Sequence, residues 1–563
     1  MSNIISFSHS KFVLTLIVTI STFIPVAVAT AAIREHQEIT DWQGTSTCLQ
    51  CHETEAQEVF GSTHYQWLGE TPYMNDGPEI QGKLDIGVNS YCINITGNWN
   101  GCGACHVGLG DRPTPQVSSA QLENIDCLIC HQEAYQRVKV DGRFVPDLGN
   151  MSISIVEAAR TVQKPTRVAC LKCHAKGGGG DNYKRGDLAI AHGTTSDRNF
   201  DVHMASSGAN LDCQACHTTE QHLMAGRGSD LRPTDLDVEM SCTDCHEEKD
   251  SLSGHGQSSI GRHVKRVACQ SCHIRTYARN AVDTPASEQT EVHRDWRLPH
   301  TTPSGAIHPT PTLAGDLIPR YAWWDGTSVS YLLYEEALVD HLTGAIATSR
   351  PLGEVTSARS KLYPFKYKTA TQPLVQNYNQ LIALDTSVYF STGDADSAIR
   401  SGLENMNYSP DESYEWVETD TLQLITHEVT PASAALSCSD CHENTNRMDL
   451  VDNLGYQLKD SRSVVCRQCH GPKDGEDEPE YLWIHDEHVR GEGYDCSWCH
   501  TFSRPERGLQ LSPIMAKLGD LINTLRVLVG FPVAPSQTVQ DINGDNHIGL
   551  EEAVNILRDI SNN

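Results

Sequence analysis

Positive charge is scarce in this chain. Its 563 residues carry 43 Lys and Arg against 72 Asp and Glu, a formal charge of −29. That balance excludes a nucleic-acid partner, because phosphate binding rests on clustered Lys and Arg. A small anionic substrate would likewise need a local basic funnel working against the field of the whole protein. Long apolar runs are missing after residue 32, so no later segment is expected to span a bilayer. Only 39% of residues are hydrophobic, a modest supply for the three or four domains that length alone would allow. Cysteine outside one repeated pattern is the last scarcity: 20 of the 21 Cys fall into it and Cys92 does not.

The pattern is Cys-x-x-Cys-His, and it occurs ten times. It joins Cys48 and Cys51 to His52, Cys102 and Cys105 to His106, Cys127 and Cys130 to His131, Cys170 and Cys173 to His174, and Cys213 and Cys216 to His217. It then joins Cys242 and Cys245 to His246, Cys269 and Cys272 to His273, Cys438 and Cys441 to His442, Cys466 and Cys469 to His470, and Cys496 and Cys499 to His500. In each, the two thiols add across the vinyl groups of a haem and the adjacent His lies under the iron as axial ligand. One such motif also fits a zinc site or a redox dithiol. Ten copies, each followed by His, select ten covalently attached c-type haems. Their porphyrins would supply much of the apolar core that side chains do not.

Residues 1–32 have the form of an export signal. Lys11 supplies a basic start, Phe12 to Val28 an apolar core, and Ala27-Val-Ala29 or Ala29-Thr-Ala31 a cleavage site. The alternative is a retained membrane anchor. Export to the periplasm or the outer cell surface is the expectation, and a thiol left over there, Cys92, calls for a reason.

Seven haem motifs lie between Cys48 and His273, too closely spaced for conventional domains. The expected fold is a multihaem cytochrome c, mainly α and irregular loops wrapped around stacked haems, with little β. Residues 33–457 form the expected core, interrupted by a haem-free insert at 274–437. Within the insert Tyr331–Leu342 and Asp394–Met406 read as helices, the second capped by Thr392 or Asp394. Trp323, Trp324, Tyr363, Phe365 and Tyr367 fit core packing better than contact with haem edges. Residues 458–510 form a two-haem module, and 511–563 a helix–loop–helix tail. In the tail Asp541, Asn543, Asp545 and Glu552 occupy positions 1, 3, 5 and 12 of a calcium loop. Position 6 is Asn546 where Gly is usual; Asn also adopts the left-handed conformation. The tail resembles a single EF-hand or dockerin repeat and is expected to bind Ca2+.

Of 26 His, ten belong to the motifs. His64, His203, His222, His255, His263, His427, His485 and His488 lie near motifs and are candidate distal ligands. The surplus favours six-coordinate wiring. An enzyme needs one iron that differs, and Gly177–Gly180 followed by Asp181 and Lys184 is the candidate. The glycines let backbone approach a flat porphyrin. The Lys could bind iron through a neutral, desolvated amine.

With these residues in view, about residues 45–457 resemble the octahaem tetrathionate reductase family. The resemblance rests on the order and spacing of eight motifs. It rests also on STHYQW after the first motif, NSYCI before the second, GGGGDNYKRGDL after the fourth, DVHM before the fifth, ACQSCH at the seventh and ITHEV before the eighth. It implies that the haem on Cys102, Cys105 and His106 is catalytic, that Lys184 is its distal ligand, and that Cys92, Asn89 and Asp181 stand nearby. It implies reduction of tetrathionate to thiosulfate, with nitrite or hydroxylamine as alternative substrates. The donor would be a partner cytochrome or a quinol-linked protein, and oligomers are possible. The ninth and tenth haems and the calcium tail depart from the family. A purely conductive role, as a conduit or filament cytochrome, is the reading from a different class.

Overall fold

The computed structural model describes residues 35–458, interrupted mainly within 92–104, 229–233, 247–254, 256–262 and 451–456, where Asn94, Gly103 and Leu454 are described, together with a C-terminal helix and a few isolated residues beyond. Two compact units emerge. One comprises the described residues within Met1–Trp67, Trp99–His174 and Asp212–Met224; the other comprises those within Leu68–Asn98, Ala175–Leu211 and Ala225–Asn563.

In the first unit the elements are short, as closely spaced haem motifs require. Helix α1 (Glu53–Gly61) follows the first motif, and α2 (Arg167–His174) contains the fourth. Phe60, Tyr65, Leu122, Ile125, Leu128 and Ile129 are buried together. Tyr65 ties this small core internally: its hydroxyl accepts from Asn124 Nδ2 at 2.9 Å and donates to Gln121 Oε1 at 2.8 Å.

The second unit is built on a sheet. Its strands are β1 (Thr290–Thr301), β2 (Ile307–Ala314), β3 (Arg320–Trp324), β4 (Ser328–Ser330), β5 (Ile346–Pro351), β6 (Lys361–Val375), β7 (Gln380–Leu381) and β8 (Tyr414–Leu424). The order is β4-β5-β8-β6-β1-β2, with β3 and β7 also pairing to β6. β6 lies antiparallel to β8 from Phe365–Leu424 to Val375–Tyr414 and parallel to β1. Covered on both faces, it reads as a nearly continuous buried run, as a central strand should.

This sheet overturns the expectation of little β. The insert, read at first as helices and loops, carries eight strands. Its β-branched and aromatic residues pair across long sequence separations that local periodicity does not report. Tyr331–Leu342 is the other correction: its described part is irregular. Tyr331, Leu332 and Leu333 are all buried, so no single helical stripe forms. Tyr334 adopts φ 76°, which no helix accommodates, and Val339 bridges Ile346.

The second helix does form. After α3 (Thr386–Thr392), α4 spans Ala395–Asn405, and Asp394 caps it by accepting from Ser397 N at 3.1 Å. Thr392 ends α3 instead. Trp324 and Phe365 are buried with Leu422 and Leu424, against Tyr363 and Tyr367, while Trp323 packs beside Tyr321 and Leu362.

Residues 1–34, the calcium-loop positions Asp541, Asn543 and Asp545, and Cys92, Cys102, Cys466, Cys469, His470, His485, Cys496 and Cys499 lie outside the described residues. Glu552 falls in the C-terminal helix α5 (Leu550–Ser561), and His500 in a two-residue strand paired with Gln457–Leu458. Among the described residues no helix is long and apolar enough to cross a membrane.

Candidate functional site

Histidine pairs with a common spacing mark the first feature. His52 faces His36 with ring centres 5.9 Å apart, His174 faces His64 at 6.1 Å, and His131 faces His222 at 6.3 Å. His246 faces His203 at 6.2 Å, His273 faces His255 at 6.2 Å, and His442 faces His263 at 5.9 Å. One metal ion held by two imidazole nitrogens at about 2 Å each, with half a ring beyond each nitrogen, separates ring centres by about 6 Å. Each pair therefore fits one iron. In every pair one member belongs to a Cys-x-x-Cys-His motif, so the residues present suit axial ligation of a covalently attached haem.

The surroundings of these rings are built for that task. His222 occupies a two-residue turn with Gln221 between the paired segments Thr219–Glu220 and Leu223–Met224. Both turn residues take positive φ, 48° and 61°, as a tight hairpin turn demands. Neither is Gly or Asn, so the turn is strained at the point where it delivers the ring. Glu58 Oε2 lies 2.7 Å from His222 Nδ1, and the Gln163 carbonyl 2.9 Å from His131 Nδ1. Both contacts orient the ring and leave Nε2 for a metal. His427 is held similarly. Asp187 accepts from the Thr426 N at 2.8 Å and the His427 N at 3.0 Å, and lies 3.2 Å from His427 Nδ1. Burial alone would raise the Asp187 carboxyl; its bond to His427 outweighs that and holds it well below the usual carboxylate range. The His427 ring stands 6.4 Å from that of His192. His488 is half-buried.

Motif cysteines also meet one another. Cys48 lies within hydrogen-bonding reach of Cys127, Cys105 of Cys173, Cys170 of Cys213, and Cys242 of Cys269. These thiols stand for the thioether sulfurs of the haem-loaded protein. The first motif thus neighbours the third, the fourth neighbours both the second and the fifth, and the sixth neighbours the seventh.

The second feature joins Asn89 to the loop carrying Lys184. Asn89 Oδ1 accepts from Tyr91 N at 2.9 Å, and Asp181 Oδ1 from Ile190 N at 2.9 Å. The Tyr91 hydroxyl donates to the Lys184 carbonyl at 3.0 Å. Gly178 takes φ +90°, and a Cβ there would sit 3.1 Å from Tyr91 Cδ1. Glycine is thus required for the loop to cross the Tyr91 ring.

Both segments are gripped by buried charges from the sheet. Arg294 on β1 donates to the Tyr91 carbonyl and to the Gly178 carbonyl, each at 2.5 Å. It also pairs with Glu291 at 2.7 Å, and Glu291 lies 3.3 Å from Lys368 on β6. Lys368 Nζ donates to Ser90 Oγ at 3.0 Å. Lys366 Nζ donates to the Tyr183 carbonyl at 2.6 Å, Thr290 Oγ1 at 2.7 Å, the Lys184 carbonyl at 3.0 Å and the Tyr91 hydroxyl at 3.2 Å. Burial pulls the Lys366 pKa well below its ordinary value. Arg294, Lys366 and Lys368 all lie within 6 Å of the Tyr91 ring centre, at 5.3, 5.7 and 4.3 Å. A protein of strongly negative charge thus concentrates three cations and one anion beside the residue that precedes Cys92.

Glu291, Arg294, Lys366, Lys368, Tyr91 and His36 were not singled out by the sequence. Two lysines at i and i+2 in YPFKYKTATQPLV were the available signal, since that spacing places both on one face of a strand that is otherwise apolar or neutral.

Residues 47–132 match the family model for cytochrome c554 and c-prime, and residues 311–445 the model for bacterial cytochrome c. An uncharacterized protein of Archaeoglobus fulgidus is 31% identical in an alignment 236 residues long that covers 33% of this chain and 77% of that protein. The crystal structure of an octahaem cytochrome c from Shewanella oneidensis is similar with a TM-score of 0.61 and 27% identity, over 74% of this chain and 95% of that one. Histidine pairs spaced for iron, motif cysteines beside them and these similarities agree: the chain belongs to the multihaem c-type cytochromes.

Proposed function

We propose that this cytochrome is an exported ten-haem reductase that cleaves tetrathionate to thiosulfate, with Lys184 as the distal ligand of the haem on Cys102, Cys105 and His106, and with Cys92 beside it. The observation that carries the reading is the buried clamp of Arg294, Lys366, Lys368 and Glu291, which ties the segment before Cys92 to the loop that ends in Lys184. Chains that only conduct electrons have no evident use for such a structure. Its excess positive charge also favours a dianion locally against the field of the whole protein.

Bound haems supply electrons one at a time, and a haem whose distal ligand can leave also offers a substrate site. The residues do the rest. Cys92 as thiolate attacks a central sulfur of tetrathionate; the S–S bond breaks and one thiosulfate departs, leaving Cys92 bonded to the other half. Two electrons then cleave that new S–S bond, releasing the second thiosulfate and restoring the thiolate. Local cations favour the thiolate. Asp181 orients the Lys184 loop through its bond to Ile190 N. The donor is a partner cytochrome or quinol-linked protein, and Ca2+ at Asp541, Asn543, Asp545 and Glu552 organises the tail.

The test is anaerobic reoxidation of the reduced protein by tetrathionate, with thiosulfate measured. Two thiosulfates per tetrathionate are expected, and Cys92→Ser should abolish turnover. Undiminished turnover in that variant would sink the sulfur role of Cys92. Reoxidation by nitrite or hydroxylamine alone would assign nitrogen chemistry. The six facing histidine pairs and adjoining motif cysteines favour one second reading, a conduit, which predicts no reaction with any of the three.

A further inference from the structure

We infer that Lys366 is a positioning residue for Lys184: its buried ammonium fixes the main chain of Tyr183 and Lys184, so that the iron opens by movement of the Lys184 side chain alone. The inference rests on the proposed ligation of iron by Lys184.

A lysine in the middle of a central strand is costly to bury, and an apolar residue would fill the same place without that cost. The ammonium gathers acceptors from three separate segments. They are Tyr91, just before Cys92; the carbonyls of Tyr183 and Lys184, at the end of the glycine loop; and Thr290 on β1. An ammonium has three donors, so four acceptors saturate it and leave nothing for substrate. Lys366 therefore acts through Lys184.

The loop needs such a tether. Gly178 and Gly179 take φ +90° and +113°, and a glycine run loses more conformational freedom on ordering than any other sequence. Arg294 holds its start at the Gly178 carbonyl, and Lys366 holds its end. With both ends fixed, the main chain at Lys184 holds its place independently of the iron.

The experiment compares the full-length, haem-loaded protein with Lys366→Met, Tyr91→Phe and Lys184→Ala by electron paramagnetic resonance of the ferric state. Alanine cannot bind iron, so Lys184→Ala is expected to convert one haem per chain from low to high spin. Lys366→Met should shift the ratio of Lys-ligated to open iron about tenfold toward open, the usual effect of losing a charged hydrogen bond. Tyr91→Phe should shift it in the same direction by less, and the bis-His signals should stay unchanged in both. If Lys184→Ala changes the spectrum while Lys366→Met keeps the wild-type ratio, the inference is overturned and the ligation stands. An unchanged Lys184→Ala spectrum removes the ligation itself. Should Lys366→Met fail to assemble, hydrogen exchange in the unaltered protein decides. Amides of residues 177–184 are expected to exchange as slowly as those of β6, and exchange at the rate of an open loop overturns the inference.

Discussion

Replacing Glu291 by Gln tests the clamp most directly. The carboxylate is fully buried, and both oxygens accept from Arg294 Nε at 2.9 Å. Lys368 Nζ stands 3.3 Å away. Gln keeps the shape and removes the negative charge that these cations share. Removing one partner from a buried ion pair costs about 3–5 kcal/mol, because the remaining charge is left uncompensated. The expected outcome is a loss of that size in guanidinium unfolding at pH 7, followed by far-ultraviolet circular dichroism. Hydrogen exchange should quicken first in β6.

The pH dependence supplies a second check. Burial alone would raise the Glu291 carboxyl, but Arg294 and Lys368 outweigh it and hold the group below its ordinary 4.5. A depressed folded value contributes stability that is present above the unfolded pKa and lost as pH falls through the folded one. The difference between wild type and Glu291→Gln should therefore be full above pH 4.5 and close below it. A difference under about 1 kcal/mol at neutral pH, or one constant down to roughly pH 3, would refute the reasoning.

Gly178→Ala should lower turnover far more than melting temperature. The Cβ meets Tyr91 Cδ1 at 3.1 Å in a backbone conformation of φ +90°, a local strain of about 1–3 kcal/mol, and steady-state kinetics beside a thermal melt would separate the two effects. His36→Ala should leave the iron of His52, 5.9 Å from the lost ring centre, with one axial histidine and so add one high-spin haem per chain to the ferric spectrum; an unchanged spectrum would remove His36 as a ligand.

The sequence carried the cofactor chemistry well, because covalent attachment writes itself into contiguous residues. Cys-x-x-Cys-His needs no tertiary context to be recognised. Distal histidines need such context. The pairing of His222 with a motif histidine was legible by closeness in sequence to a motif, whereas His36 lies in a polar lead-in that gives no sign of the ring it will face. The insert was misread for a related reason. YLLYEEALVDHL has the spacing of a helix, yet Tyr331, Leu332 and Leu333 are all taken into the core. Pairing of β6 with β8, β1, β3 and β7 is nonlocal, and tertiary context overrides propensity there. Asp394 was legible because a cap is a local bond. Lys366 and Lys368 were the real loss: charged residues in a strand suggest a solvated face, and here they mark the reverse.

That reversal bears on why so long a stretch without a haem motif is retained in a chain otherwise wrapped around porphyrins. Elements that present the paired histidines are short: a two-residue turn braced by Glu58 suffices for His222. Such braces tolerate small movements, because an imidazole bound to iron is itself a tether. A ligand that must leave and return has no such help while it is away. Its main chain has to be held by something that does not depend on the iron, and a central strand covered on both faces is among the least mobile elements a fold can offer. Burying Lys366, Lys368, Arg294 and Glu291 is expensive for the same sheet. Under the proposed ligation of iron by Lys184, that expense keeps Tyr91 and Lys184 in register through each opening.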